Sequence, residues 1–207
     1  MTPTAAVLYP PIRAIDRLAS RIAKRTVDVI GASVGLLFAF PFAFVFGLIH
    51  SSQSHGPVFY RQKRIGKEGR EFFILKIRSM DLFAEKDGPQ WADENDPRCT
   101  PLGSFMRRLN IDEIPQFWNV LKGEMSLVGP RPERRIYVSD FIKEIPNYNA
   151  RHSCLPGMSG WAQVNGWRGN TCVATRAKFD LWYIENWSLA LDLHVIFKTL
   201  IAYRNAW

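Results

Sequence analysis

Asp112 and Glu113 are adjacent carboxylates, followed by Ile114-Pro115-Gln116 and, further on, by the turn Gly129-Pro130-Arg131-Pro132. Arg107 and Arg108 stand just before them. Neighbouring acids can divide two tasks: one serves as nucleophile or base, while the other holds a hard cation such as Mg²⁺ through oxygen. Mg²⁺ held by one or two carboxylates keeps positions open for phosphate oxygens, and a guanidinium nearby offsets charge on a transferring phosphoryl group. Arg107, Arg108 and Arg131 are candidates for that guanidinium, with Arg131 on a turn stiffened by a proline on each side. The ordinary reading of the same acids is an N-cap at Asp112 and a first-turn residue at Glu113, where the helix dipole favours negative charge. Spacing alone leaves both readings open.

Other catalytic signatures are missing from the sequence. It holds no Gly-x-x-x-x-Gly-Lys loop, no His-Glu-x-x-His and no Gly-x-Ser-x-Gly elbow. The four histidines do not cluster, although Arg151-His152, just before Pro156-Gly157, are candidates for phosphate contact. Cys99, Cys154 and Cys172 are odd in number and widely spaced, which gives neither a disulfide framework nor a zinc pattern and fits a reducing compartment.

The elements that must position these residues begin with an apolar run. From Val29 to Ile49 the chain carries no charge for 21 residues, enough for a helix across a hydrocarbon core of ~30 Å. It lacks a small-residue cleavage site and starts far from Met1, so a removable signal peptide is not expected. Pro41 lies near its middle, where a proline removes a backbone hydrogen bond and bends or breaks a helix. Basic residues flank both ends, Arg13 to Arg25 before and Arg61 to Lys67 after. A single crossing would put one cluster on the wrong side, whereas a helix that enters, turns at Phe40-Pro41 and returns keeps both cytoplasmic. Ile12 to Arg25 reads as an amphipathic helix at the interface. Beyond the membrane segment the expected elements are a hairpin (58–62 with 72–77), helices over 102–109 and 114–121, an irregular turn over 126–132, a helix over 133–144 and a broken helix over 174–202.

Bulk composition agrees with one domain built on a membrane anchor. The 207 residues are 47% hydrophobic and 22% charged, with a net charge of +8. That balance favours anionic partners, here an anionic membrane surface and phosphorylated substrates. The basic residues form no long block, and no nucleic acid is expected. The reading is an α+β, mainly helical, monotopic protein: 1–25 as tail and interfacial helix, 26–52 as the re-entrant membrane helix, and 53–207 as a catalytic domain on the cytoplasmic face.

Taken in order, the motifs are specific. Lys24-Arg25-Thr26-Val27-Asp28, Gly56-Pro57-Val58-Phe59-Tyr60-Arg61-Gln62, Lys76-Ile77-Arg78-Ser79-Met80 and Asp96-Pro97-Arg98-Cys99-Thr100-Pro101 precede the acids. Asn119-Val120-Leu121-Lys122-Gly123, Met125 to Pro132 and Pro156 to Gly166 follow them. The chain resembles the bacterial sugar transferases known as monotopic phosphoglycosyl transferases, from about Lys24 to Ile201. The resemblance implies transfer of a hexose 1-phosphate from a UDP-hexose to polyprenyl (undecaprenyl) phosphate, releasing UMP, at the bacterial inner membrane. It implies that Asp112 forms an aspartyl phosphosugar, that Glu113 ligates Mg²⁺, and that Arg107, Arg131 and Arg98 serve phosphate or nucleotide. The first membrane step of exopolysaccharide, capsule or O-antigen assembly is the implied role. Relatives often carry Ser before the central proline where this chain has Phe40, and longer relatives carry extra N-terminal transmembrane helices, so the chain resembles a minimal catalytic form. Asn165 to Thr171 resembles members that handle glucose or galactose. Oligomeric state is left open, a homodimer included. The competing classes are a metal-dependent pyrophosphohydrolase, which has no use for the apolar run, and a membrane-anchored scaffold, which has no use for the ordered motifs.

Overall fold

A computed structural model of the chain describes residues 18–53, 56–91, 93 and 96–201. Most of the interfacial segment expected over 12–25 lies outside them. The first element, α1 (Leu18–Gln53), is 36 residues long, which corresponds to roughly 54 Å if straight. It crosses position 25 without a boundary and stays helical through Phe40 and Pro41, where the sequence reading places a break. A proline withdraws one donor and bends the local path, yet the backbone on either side can keep helical geometry.

Both halves of α1 pack against the same domain. Arg25 donates to the Val120 and Leu121 carbonyls at 2.6 and 2.7 Å, in the C-terminal turn of α3 (Gln116–Lys122). At Gly35 a Cβ would meet the Phe117 ring within 2.5 Å, so only glycine lets the helices approach this closely. Further along, Ala43 and Phe46 pack against Ile77, Met106 and Ile111, and His50 is buried. Leu37, Phe38, Phe40, Phe42 and Phe44 face outward.

The N-terminal half of α1 is fastened by a buried polar cluster. Lys24 Nζ donates to Asp192 Oδ2 at 2.7 Å and to the Val128 carbonyl at 3.1 Å. Tyr183 and Trp187 also donate to Asp192, at 2.6 and 3.2 Å. Asp28 accepts from Ser126 Oγ and Leu127 N, both at 2.9 Å. Buried charge is tolerated only when paired and hydrogen-bonded in this way.

The expected hairpin forms as β1 (Phe59–Ile65) and β2 (Glu71–Ile77), antiparallel, with Phe59 opposite Ile77 and Ile65 opposite Glu71. Helix α2 (Pro101–Arg108) starts on a Thr100 cap whose hydroxyl accepts from Gly103 N at 2.9 Å. The segment expected as an irregular turn contains β3 (Ser126–Val128), which pairs in parallel with β4 (Gly157–Ser159). Three residues give no readable alternation, and the pairing needs two glycines: a Cβ on Gly157 would lie 2.1 Å from Gly129 N. Helices α4 (Arg135–Glu144), α5 (Trp161–Val164), α6 (Val173–Glu185) and α7 (Leu189–Ile201) complete the domain, with the interruption between α6 and α7 at the expected Asn186-Trp187-Ser188. The protein is therefore mainly helical, with small sheets and one long apolar helix.

Candidate active site

Asp112 caps no helix. After α2, Asn110 takes a left-handed conformation (φ 51°), and Ile111–Glu113 form a separate 3₁₀ turn before Pro115 opens α3. Ile111 is pinned in the apolar cluster with Ile77 and Met106. The two acids beside it are nearly buried, at 5% and 9% exposure. Both nevertheless line a cleft of about 490 Å³ whose wall carries nine basic and five acidic side chains.

Glu113 is clamped from two elements. Lys76 Nζ, on β2, donates to its Oε1 at 2.8 Å, and Arg131 donates from Nη2 to Oε1 at 2.5 Å and from Nη1 to Oε2 at 3.3 Å. Asn119 holds α3 against β2 so that this meeting occurs: its Oδ1 accepts from Leu75 N at 3.0 Å and its Nδ2 donates to the Phe73 carbonyl at 2.8 Å. Electrostatics separates the two acids. Burial pushes the Asp112 carboxyl up, with Lys76 opposing and Glu113 adding to the rise. For Glu113, burial also raises, but Arg131 and Lys76 outweigh it and hold the carboxyl well below its usual range. Lys76 is itself lowered by burial, against the pull of Glu113 and Asp112. Two carboxylates driven apart in proton affinity inside a cleft can take different roles.

Arg107 and Arg131 both line the cleft with the acids, and Arg107 Nη1 donates to Cys99 Sγ at 3.0 Å. Arg98 also lines it, clasping Asp96 through Nε at 2.8 Å and the Trp91 carbonyl through Nη2 at 2.9 Å. Arg151 and His152 do not line the cleft. Arg151 is committed to Asp180 at 2.6 Å and to the Tyr148 hydroxyl at 2.7 Å, and its Nη2 donates to the Arg131 carbonyl at 3.0 Å. It holds the Pro-Arg-Pro turn from behind. His152 is buried edge-on to Tyr148, and burial with the Arg151 charge pushes its pKa down to about 3, so the ring is neutral. Both side chains are buried behind the turn, and neither faces the cleft where a phosphate would bind.

Sequence reasoning gave no role to Lys76, Asn110, Arg64 or Arg168, all of which line the cleft. Asn110 Oδ1 accepts from Arg168 Nη2, tying the turn before Asp112 to the segment after α5. The available signal was the pair Lys76 and Arg78, two cations at i and i+2 at the end of the expected strand, a spacing that favours one face. For a metal, no group of three or more His, Cys, Asp or Glu side chains gathers among the described residues. Mg²⁺ commonly takes only one or two carboxylates from protein and the rest from phosphate and water. Glu113, ionised and with its Oε2 accepting from Arg131 Nη1 at a long 3.3 Å, fits that donor type.

A family model described as "Bacterial sugar transferase" matches residues 19–205. The chain belongs to the bacterial sugar transferase family. It is 45% identical over 179 residues to the UDP-N-acetylgalactosamine-undecaprenyl-phosphate N-acetylgalactosaminephosphotransferase of Aeromonas hydrophila, covering 86% of this chain and 42% of that one. It is 39% identical over 202 residues to the UDP-glucose:undecaprenyl-phosphate glucose-1-phosphate transferase of Escherichia coli, covering 96% and 43%. With a putative undecaprenyl-phosphate N-acetylgalactosaminyl 1-phosphate transferase of Bacillus subtilis it shares 47% identity over 128 residues, 62% of this chain and 72% of that one. The chain spans less than half the length of the first two of these relatives.

Proposed function

We propose that this sugar transferase moves a hexose 1-phosphate from a UDP-hexose to polyprenyl (undecaprenyl) phosphate, releasing UMP, in two displacements through Asp112. The observation that carries the reading is the pair of buried acids with divided proton affinity, set in a cation-rich cleft beside an apolar helix. The names of the similar proteins support the same reaction class.

In the first displacement an Asp112 oxygen forms a bond to the sugar-linked phosphorus, and the bond from that phosphorus to the bridging oxygen breaks, so UMP leaves with the electron pair. In the second, an oxygen of the lipid phosphate bonds to the same phosphorus and the Asp112 carboxylate is released. Arg107 and Arg131 offset charge on the transferring phosphoryl group, and Arg98 on the cleft wall serves the nucleotide phosphates. Lys76 keeps enough positive charge beside Asp112 for the buried carboxylate to ionise. Glu113 stays ionised; Mg²⁺ held by it, when bound, supplies a further positive charge for the diphosphate. Arg151 keeps the Arg131 turn in place.

The location proposed is the inner membrane with the cleft on the cytoplasmic face. Residues 24–35 and 43–50 of α1 rest on one domain, leaving only the stretch around Leu37 to Phe42 between them. A helix that crossed a ~30 Å core would carry one end away from that domain. Docking at both ends supports insertion into one leaflet with a bend near Phe40-Pro41 across which α1 stays helical. The test is turnover: purified protein with Mg²⁺, polyprenyl phosphate and a panel of UDP-hexoses should release UMP and form a lipid-linked diphosphate sugar with at least one donor. Release of free sugar phosphate without lipid would make the chain a pyrophosphohydrolase instead, and binding without turnover a scaffold.

A further inference from the structure

Two unlike groups of residues line the cleft. In one, Trp91 stacks on Tyr137 with ring centroids 4.6 Å apart, and Arg134 clasps Glu85 at 2.6 Å, giving an aromatic and polar wall. In the other are the residues that follow β2 and the backbone that follows α1. Arg78, buried at 5% exposure, lines the cleft there. Its backbone N donates to the Val58 carbonyl at 2.8 Å, and its neighbour Ile77 packs with Ala43 and Phe46 of α1. A Cβ on Gly56 would lie 3.2 Å from Arg78 Nη1 and 2.7 Å from Leu82 Cδ2, so the guanidinium sits directly against the segment leaving the apolar helix. Buried His50 of α1 lies within reach of the same charge. Exposed apolar side chains accompany it: Phe59 and Leu82 line the cleft while half exposed, and Phe83, next to Leu82 in the chain, is exposed.

We infer that Arg78 binds the phosphate of the lipid acceptor, with Phe59 and Leu82 receiving the first part of its chain; this rests on the proposed reaction. A nucleotide sugar comes from water and can enter along the aromatic and polar wall. The acceptor chain is confined to the bilayer, so its phosphate must be met where the cleft opens beside the membrane helix. A guanidinium whose backbone is fixed at a strand end suits a phosphomonoester, which it contacts by two parallel hydrogen bonds. Lys76 on β2 and Arg78 just past its end then divide the work: Lys76 serves the acids and Arg78 the acceptor.

The experiment separates the half-reactions of Arg78→Gln. With UDP-sugar alone, formation of the labelled protein intermediate should match the parent protein. With polyprenyl phosphate added, KM for the acceptor should rise about tenfold or more while KM for the donor stays. Arg78→Lys, which keeps charge without the fork, should recover part of the loss and report that the fold survives. Binding of both variants to anionic vesicles lacking acceptor should equal that of the parent; a parallel fall would mean that Arg78 contacts bulk headgroups and overturn the assignment. Equal loss in both half-reactions, or no loss in either, would overturn it as well. If the parent protein forms neither intermediate nor product, the proposed reaction itself fails, and the assignment with it.

Discussion

Two clusters of buried charge in this molecule have similar ingredients and opposite states of completion. Around Lys24, one cation meets Asp28 and Asp192, and Tyr183, Trp187, Ser126 and the Leu127 amide supply further donors. Around Glu113, Lys76 and Arg131 converge on one acid, while Asp112 shares the pocket and further cations line the cleft. The first cluster is buried among α1, β3, α6 and α7 and fastens the apolar helix to the domain. The second opens into a cavity with surplus positive charge. Saturation yields stiffness, and surplus charge facing a cavity leaves a field for an anion to occupy. Position in a motif does not distinguish them; the hydrogen-bond inventory does.

That contrast can be broken by substitution. Asp112→Asn should lower UMP release by at least about a thousandfold while leaving thermal unfolding in detergent nearly unchanged. Retained activity would move Asp112 into the structural class. Lys24→Met leaves two buried acids without their cation and should cost about 3–5 kcal/mol of unfolding free energy by denaturant titration. Lys76→Met, beside the cleft, should cost clearly less, because water can reach the acids it leaves. Equal destabilisation by the two would erase the distinction drawn here.

The pH profile sharpens the comparison further. On the proposed reaction Asp112 must be ionised to attack, and burial raises its pKa, so the acid limb of the rate profile should lie above the ordinary carboxylate value of about 3.9. Lys76→Met removes a charge that opposes the rise and should move that limb to higher pH. A further test concerns His152, which lies outside the cleft. Its folded pKa, about 3, lies below the unfolded value of about 6.5, so the unfolded chain binds the extra proton first as the medium is acidified. Its contribution to stability is therefore complete above about pH 6.5 and is lost progressively down to about pH 3. His152→Gln should flatten that part of the stability profile.

Much of the frame was legible in the sequence because it follows from local rules. The apolar run, the hairpin around Gly66 and the break at Asn186-Trp187-Ser188 each carry a periodicity or a turn signal. The acids were legible through their neighbours. What the sequence hid depends on contacts distant along the chain. Arg151 resembles a free phosphate ligand until Asp180 and Tyr148 are seen to hold it. Asp112 reads as a cap until Asn110 turns left-handed and gives it a 3₁₀ turn of its own. Strand β3 is too short for a pattern and exists because Gly129 and Gly157 let two backbones meet. Pro41 promises a break from its own chemistry, yet α1 is helical across it, since packing on both sides can hold a helix that a proline weakens.

The central claim is that Asp112, rather than the lipid, makes the first bond to phosphorus. The most direct measurement is to incubate the protein with Mg²⁺ and labelled UDP-hexose in the absence of lipid, quench, and locate the label by peptide mass spectrometry. The account predicts a hexose phosphate on Asp112 that disappears when polyprenyl phosphate is added and is not formed by Asp112→Asn. Turnover with lipid but no labelled protein at any time would contradict it and assign the first attack to the lipid phosphate.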